Sequence, residues 1–214
     1  MLIITRYVII SLNENPFIRY AEYSLWDYCH DLITTAGANN TQIVLDSHYR
    51  CHPQIIGYSN EMFYQRRLGT TLKVCTKDTN CELRYKGIIW VDVIGTQKSE
   101  TRNINEAEVD KAISLAKEIA FQCPNVSIGI ISPFKHQAEE INTRIPYELR
   151  ERIVSDTVHK FQGDEKDVII YSTVVTDNSP ASKIHWIDRA VPNLVNVAIT
   201  RARTTLYIVG NREY

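Results

Sequence analysis

The 214-residue sequence contains no GxxxxGK segment followed by Ser or Thr; its glycines stand at 37, 57, 69, 87, 95, 129, 163 and 210, and no two are five apart. A phosphate-cradling P-loop is therefore excluded within it. Five cysteines, at 29, 51, 75, 81 and 123, form no CxxC pair. That odd, scattered set argues against a structural zinc centre and against a disulfide framework. It fits reduced thiols in a cytoplasmic protein. Net charge is −1, so no global basicity advertises nucleic acid, and any such surface is a local patch. The N-terminal apolar stretches are short and broken by Arg6, too short to span a bilayer. Residues 11–16 offer no small-residue cleavage site, so the N-terminus reads as a strand or the edge of a larger protein. There is no internal repeat and no low-complexity tract.

What is present is ordinary globular composition, with 44% hydrophobic and 23% charged residues. The length suits one large α/β domain. Apolar periodicity predicts helices over 21–35, 53–64, 107–121, 134–145 and 193–203. Short continuous apolar runs predict strands over 42–45, 87–93, 126–131, 153–158, 168–174 and 205–209. Residues 69–86 carry no clear period, and residues 177–183 read as a mobile loop. Helices alternating with such strands argue a parallel sheet with helices on both faces.

Four segments are candidates for chemistry. They are Leu45-Asp-Ser-His-Tyr-Arg-Cys-His-Pro53, Ile130-Ile-Ser-Pro-Phe-Lys-His-Gln137, Thr157-Val-His-Lys-Phe-Gln-Gly-Asp-Glu-Lys-Asp167 and Asn196-Val-Ala-Ile-Thr-Arg-Ala-Arg203. Ligands of open parallel sheets gather at the carboxyl ends of the strands, which makes residues 132–137 a candidate rim loop. Arg201 and Arg203 have the paired, permanently charged donors that suit phosphate. The residue types alone equally allow surface salt bridges. Tyr49-Arg50 pairs an aromatic face with a cation, which suits a base and its phosphate, or a core tyrosine beside a surface arginine. Gly163 permits a backbone conformation other residues resist. The acids at 164, 165 and 167 are equally a charged turn or a Mg2+ cluster. No Ser or Cys nucleophile stands at a recognisable spacing from His48, His52 or His159.

Together and in this order, the segments resemble the second RecA-like domain of superfamily 1 helicases. The branch is that of the nonsense-mediated-decay RNA helicase and its bacterial relatives. Its QYRMHP is matched by His48-Tyr-Arg-Cys-His-Pro53, followed by Phe63-Tyr64; its NxxEA by Asn103-Ile-Asn-Glu-Ala107; its TPYxxQ by Ser132-Pro-Phe-Lys-His-Gln137. TVDxFQGxEKD is matched by residues 157–167, and NVALTRA by residues 196–202, with Gly210-Asn211 beyond. The departures are His48 for Gln, Cys51 for Met, His159 for Asp and Asp164 for Arg.

The resemblance implies a three-layer RecA-like sheet of the P-loop NTPase fold, without a P-loop of its own. It implies Arg50 and Arg201 as catalytic arginine fingers on the γ-phosphate, with Tyr49 near the adenine. Gln162, Gly163 and Glu165 would line the ATP cleft, and Ser132, Pro133 and Thr157 would lie near the nucleic-acid backbone. ATP with Mg2+ would be held mainly by a first RecA-like domain, no metal being bound by this one. Residues 45–214 would form the C-terminal RecA-like domain, and residues 1–44 the tail or remnant of the first. The expected partner is a single strand, DNA favoured over RNA, with no membrane. A truncated, non-catalytic module that binds nucleic acid or a partner is the other reading.

Overall fold

In the computed structural model the described residues are 29, 35, 45–66, 69–77, 83–96, 103–161, 163–177, 179 and 192–213. The helix expected over 21–35 and the strand over 42–45 lie almost wholly outside them, as do Gln162 and most of 177–183. The chain divides into two units, Met1–Leu45 and Asp46–Tyr214. The architecture below is that of the second.

Its elements run β1 (Ser47–His48), α1 (Pro53–Ser59), a π-helical stretch (Asn60–Gln65), β2 (Lys73–Val74), β3 (Gly87–Asp92), α2 (Glu106–Gln122), β4 (Ile128–Ser132), α3 (Lys135–Arg144), β5 (Ile153–Thr157), β6 (Lys166–Ser172), α4 (Pro192–Ile199) and β7 (Ala202–Gly210). Strands β3 to β7 form one sheet in the order β3-β7-β6-β4-β5, and every pairing is parallel. β1 and β2 make a separate parallel pair.

Strand side chains alternate between faces, so a sheet apolar on consecutive residues needs cover on both. Ile128, Ile130, Val168, Ile170, Tyr207 and Val209 pack in one cluster with Val109, Ala112, Ala116 and Ile119 of α2 and Ile141 of α3. The alternate residues Ile131, Ile169, Tyr171 and Leu206 pack with Ile55 and Ile56 of α1 and Ala198 and Ile199 of α4. The layers are therefore helix, sheet, helix, the RecA-like arrangement. Gly129 lets β4 lie close to its neighbours: a Cβ there would come within 2.7 Å of Ile169 Cδ1 and 2.9 Å of Phe161 Cε1.

The helices start and stop for local reasons. Asn105 caps α2, its Oδ1 accepting the Glu108 N–H at 3.4 Å. At the other end Arg152 donates to the Ala120 and Cys123 carbonyls at 2.9 and 2.7 Å, which suits a cation beside a helix C-terminus. Arg144 ties α3 to α2 through Glu106 and Asp110, and pairs with Glu140 on its own helix.

Some boundaries depart from the periodicity. The helix at 53 turns π-helical at Asn60, whose amide holds Leu72 by both its N–H and its C=O. Strands appear at 47–48 and 73–74, each of two residues, too short to show a period. β6 ends at Ser172, because Val174 takes a left-handed φ of 61°. The last helix stops at Ile199 instead of reaching 203. Pairing of Lys166 with Ala202 draws the chain into β7. Arg201 thus stands in the turn and Arg203 on the strand.

Candidate functional site

Chemistry-bearing residues collect at both ends of the sheet. Because β5 and β6 both run parallel to β4, the chain between them must return from the carboxyl end of one to the amino end of the next. Residues 158–165 make that return. Lys160 and Phe161 N–H both bond the Thr157 carbonyl, and Asp164 N–H bonds that of Phe161. Phe161 is buried, and Gly163 takes a φ of +97°, which excludes a side chain there without strain.

The return delivers Glu165 to two arginines. Its Oε2 accepts Arg50 Nε at 2.6 Å. Its Oε1 accepts Arg203 Nε at 2.9 Å and Nη2 at 2.7 Å. Arg203 also faces Asp167 at 3.5 Å, whose other oxygen accepts the Ser127 hydroxyl at 2.6 Å. Asp164 pairs with Lys166 at 2.9 Å, and that bond holds its carboxyl below the usual range. The acids of 164–167 are thus spent on cations. Among the described residues no group of three side chains converges to hold a metal ion.

Arg201 is different. Its Nε donates to the Val197 carbonyl at 3.0 Å and its Nη1 to that of Asp164 at 3.3 Å. Among the described residues it has no carboxylate partner. Burial, and then the nearby Arg50, lower its pKa. A half-buried guanidinium held by neutral carbonyls beside a second cation, with Glu165 and Asp164 near but not bonded to it, keeps donors that suit an anion.

The turn carrying Arg50 is pinned on several sides. His48 Nε2 accepts the Cys51 N–H at 2.8 Å, His52 N–H bonds the Arg203 carbonyl at 2.7 Å, and Thr76 Oγ1 donates to the Cys51 carbonyl at 2.7 Å. The buried Cys51 thiol donates to the Thr200 carbonyl at 3.4 Å, and burial pushes its pKa up to about 11. It is a packing group, not a nucleophile. His48 and His52 stand four apart, a spacing metal sites use, but His52 Nδ1 is engaged by the Gln54 N–H at 3.3 Å. Arg50, Glu165 and Arg203 edge a cavity of about 590 Å3 with Tyr49 and Tyr64. Tyr49 is 71% exposed, its ring open to a ligand. Ser59 Oγ and Asn196 Oδ1, also on the lining, are buried and have no hydrogen-bond partner among the described residues.

His48 gives a pH dependence. Nε2 accepts only when unprotonated, and burial, then Arg50, lower the ring's pKa below 6.5. A depressed folded pKa contributes stability above the unfolded value that is lost as pH falls through the folded one. The unfolding midpoint in urea should therefore drop below pH 6.5, and His48→Gln should flatten that part of the profile. Equal slopes in both proteins would show that His48 does not contribute.

At the carboxyl ends, Ser132 and Thr157 are direct partners in the β4–β5 register. Ser132 is fully buried, and its Oγ accepts the Phe134 N–H at 3.3 Å. It shapes the loop instead of presenting its hydroxyl. Pro133 and Thr157 are half-buried. The structure thus sorts the expected residues into two groups: Tyr49, Arg50, Gly163, Glu165 and Arg201 toward the amino ends of β6 and β7, and Ser132, Pro133 and Thr157 at the opposite rim. The carboxyl-end rule points only to the second group. Sequence spacing also gave no role to a buried polar set behind that rim, Asn105, Glu108, Gln137 and Ser172. The available signal was an Asn-x-x-Glu cap at 105–108, two residues on from the 103–106 register.

The sequence pattern of the AAA domain family matches residues 23–213. Over 190 residues the chain is 30% identical to "Helicase sen1" of Schizosaccharomyces pombe, covering 82% of this chain and 11% of that protein. It is 28% identical to the chicken "DNA replication ATP-dependent helicase/nuclease DNA2", covering 96% of this chain and 20% of that protein. It is 30% identical to the mouse "RNA helicase Mov10l1", covering 82% of this chain and 16% of that protein. The chain thus spans a fifth or less of the length of these relatives. With its five-stranded parallel sheet, the chain belongs to the AAA domain family as a C-terminal RecA-like domain of the superfamily 1 helicase type.

Proposed function

We propose that this domain is the C-terminal motor half of an ATP-dependent helicase, completing an ATP site whose P-loop lies on a first RecA-like domain. The observation that carries this is Arg201, a half-buried cation hydrogen-bonded to no carboxylate among the described residues, beside Arg50 and the Glu165 that Arg50 grips. The donor set suits a polyphosphate: planar guanidinium groups give paired donors to phosphate oxygens. It does not suit Mg2+, because the local acids are already paired; the metal belongs mainly to the first domain.

ATP bound between the domains supplies the γ-phosphoryl group that is transferred to water. Arg50 and Arg201 act as fingers, holding the negative charge that develops on that group. Arg50 exchanges the Glu165 carboxylate for phosphate oxygens when the domains close. Glu165, no longer holding Arg50, keeps Arg203 aligned. Tyr49 offers its ring to the adenine, and Gln162 and Gly163 line the cleft. Residues 158–165 span from this cleft to Thr157 at the opposite rim, where Pro133 and the loop shaped by Ser132 meet a single strand. Domain closure and opening at the cleft is thereby passed to the strand face. DNA is favoured over RNA because the motifs resemble the bacterial branch. Among the described residues no helix is long and apolar enough to cross a membrane.

Residues 1–44 are read as the tail of the first domain, and residues 45–214 as the motor half. Half a site binds weakly: ATP affinity of this chain by titration calorimetry should be in the millimolar range or weaker, about 4 kcal/mol or less of binding, with no turnover. Micromolar binding by the chain alone would falsify the half-site reading. The absent P-loop also favours a second reading, a non-catalytic module that binds nucleic acid or a partner; failure of any joined form to turn over ATP would select it.

A further inference from the structure

The carboxyl rim of the sheet is braced by a carboxylate that no proposed step uses. Glu108, on the first turn of α2, is fully buried. Its two oxygens accept the Val174 N–H at 2.9 and 3.1 Å. Oε2 also accepts the Ser172 hydroxyl at 2.6 Å, and Oε1 the Asn105 Nδ2–H at 3.0 Å. Gln137, also fully buried, completes the set. Its Nε2 donates to Ser172 Oγ at 2.9 Å and to the Asn105 carbonyl at 3.3 Å, and its Oε1 accepts the Asn105 N–H at 2.9 Å. The proton order follows: Gln137 donates to Ser172, and Ser172 donates to Glu108.

The residue so gripped is itself strained. Val174 has a φ of 61°, which a β-branched side chain resists. Such backbone persists only where its surroundings over-determine it, and it clusters at functional sites. Val174 lies two residues past β6. Register places Tyr171 beside Ile131 and Ser132 beside Thr157, so Val174 stands on the rim shared with Pro133 and Thr157. On its other side Thr173 rests on Gly210, where a Cβ would meet Thr173 Oγ1 at 2.2 Å. Gln137 lies in the first turn of α3, just beyond the Ser132–Phe134 loop, so one network fixes the segments after β4 and after β6.

We propose that Glu108 is a positioning residue for single-strand binding, its carboxylate holding the backbone at Val174 left-handed and locking the loops after β4 and β6 into one rigid rim that meets the sugar-phosphate backbone. This rests on the reading of that rim as the strand face. A carboxylate accepts on both oxygens, whereas an amide presents an N–H where Val174, Ser172 and Asn105 all need acceptors. Glu108→Gln therefore releases Val174 with little change in side-chain volume.

The experiment uses the chain with labelled oligothymidylate and oligouridylate of about twenty nucleotides, followed by fluorescence anisotropy at low salt. Amide exchange at Val174 is followed in parallel. Glu108→Gln should speed Val174 exchange at least about tenfold and weaken oligonucleotide affinity about five- to tenfold. Val174→Gly in the Glu108→Gln background should restore most of the affinity, because glycine takes positive φ without restraint. A general loss of packing would not be rescued that way. If Glu108→Gln fails to fold, Ser172→Ala replaces it, with the same two readouts and the same expectation. Binding by the unaltered chain that is unchanged in the variant, or not rescued by glycine, overturns the positioning role alone. No binding to either oligonucleotide by the unaltered chain overturns the strand-face reading and this role with it.

Discussion

Replacing Arg201 by Ala, in a protein joining this domain to a P-loop domain, is expected to cut ATP turnover by about 10^3- to 10^5-fold while changing ATP affinity by less than about tenfold. The size follows from what the residue is asked to do. Arg201 is anchored by two carbonyls, so its planar donors are oriented before any phosphate arrives. No carboxylate among the described residues is hydrogen-bonded to it, so no ion pair has to break when a phosphate approaches. Charge builds on the transferred group only in the transition state, so removal of this cation falls on kcat, not on ground-state binding. Arg201→Lys should restore little, because an ammonium cannot keep the two carbonyl bonds and offer paired donors as well. Equal losses in kcat and affinity would place Arg201 in simple nucleotide binding.

The second large effect is expected at Glu165. Its carboxylate orients Arg50 on one oxygen and Arg203 on the other. These side chains are all at least a third exposed, so each pair adds no more than about 1 kcal/mol to folding. Glu165→Ala should therefore leave the melting transition nearly unchanged. Turnover of the joined protein should nevertheless fall about a hundredfold, a magnitude typical of losing one aligned donor. Without the carboxylate, Arg50 loses its parking position, and Arg50, Arg201 and Arg203 repel one another. A steady-state split between kcat and KM, with differential scanning calorimetry alongside, separates this from unfolding. A variant that loses stability and activity together would show Glu165 to be structural.

Much of this arrangement was legible in the sequence because it rests on local periods. Continuous apolar runs gave β3 to β7, and α2 and α3 followed from helical spacing, since each buries a stripe against the sheet. The resemblance assigned Arg50, Glu165 and Arg201, and the structure brings Arg50 into contact with Glu165 and sets Arg201 beside Arg50. What stayed hidden depends on contacts far apart in the chain. β1 and β2 are two residues each and exist only through their pairing. The end of the last helix is set by Lys166, thirty-odd positions earlier, pairing with Ala202. Glu108 looks like an ordinary helix-surface acid until Ser172 and Val174 close over it. The carboxyl-end rule selected the Ser132 loop and passed over the arginines, because these are held by a return loop and a turn at the amino ends of β6 and β7.

The most direct test is single-strand-stimulated ATP hydrolysis by a superfamily 1 P-loop domain, measured with and without this domain joined to it. Turnover that appears only with the domain present, and is lost in its Arg201→Ala form, is the expected result. Turnover that is the same with and without the domain, or indifferent to Arg201, would contradict the assignment of this domain as the completing half of the motor.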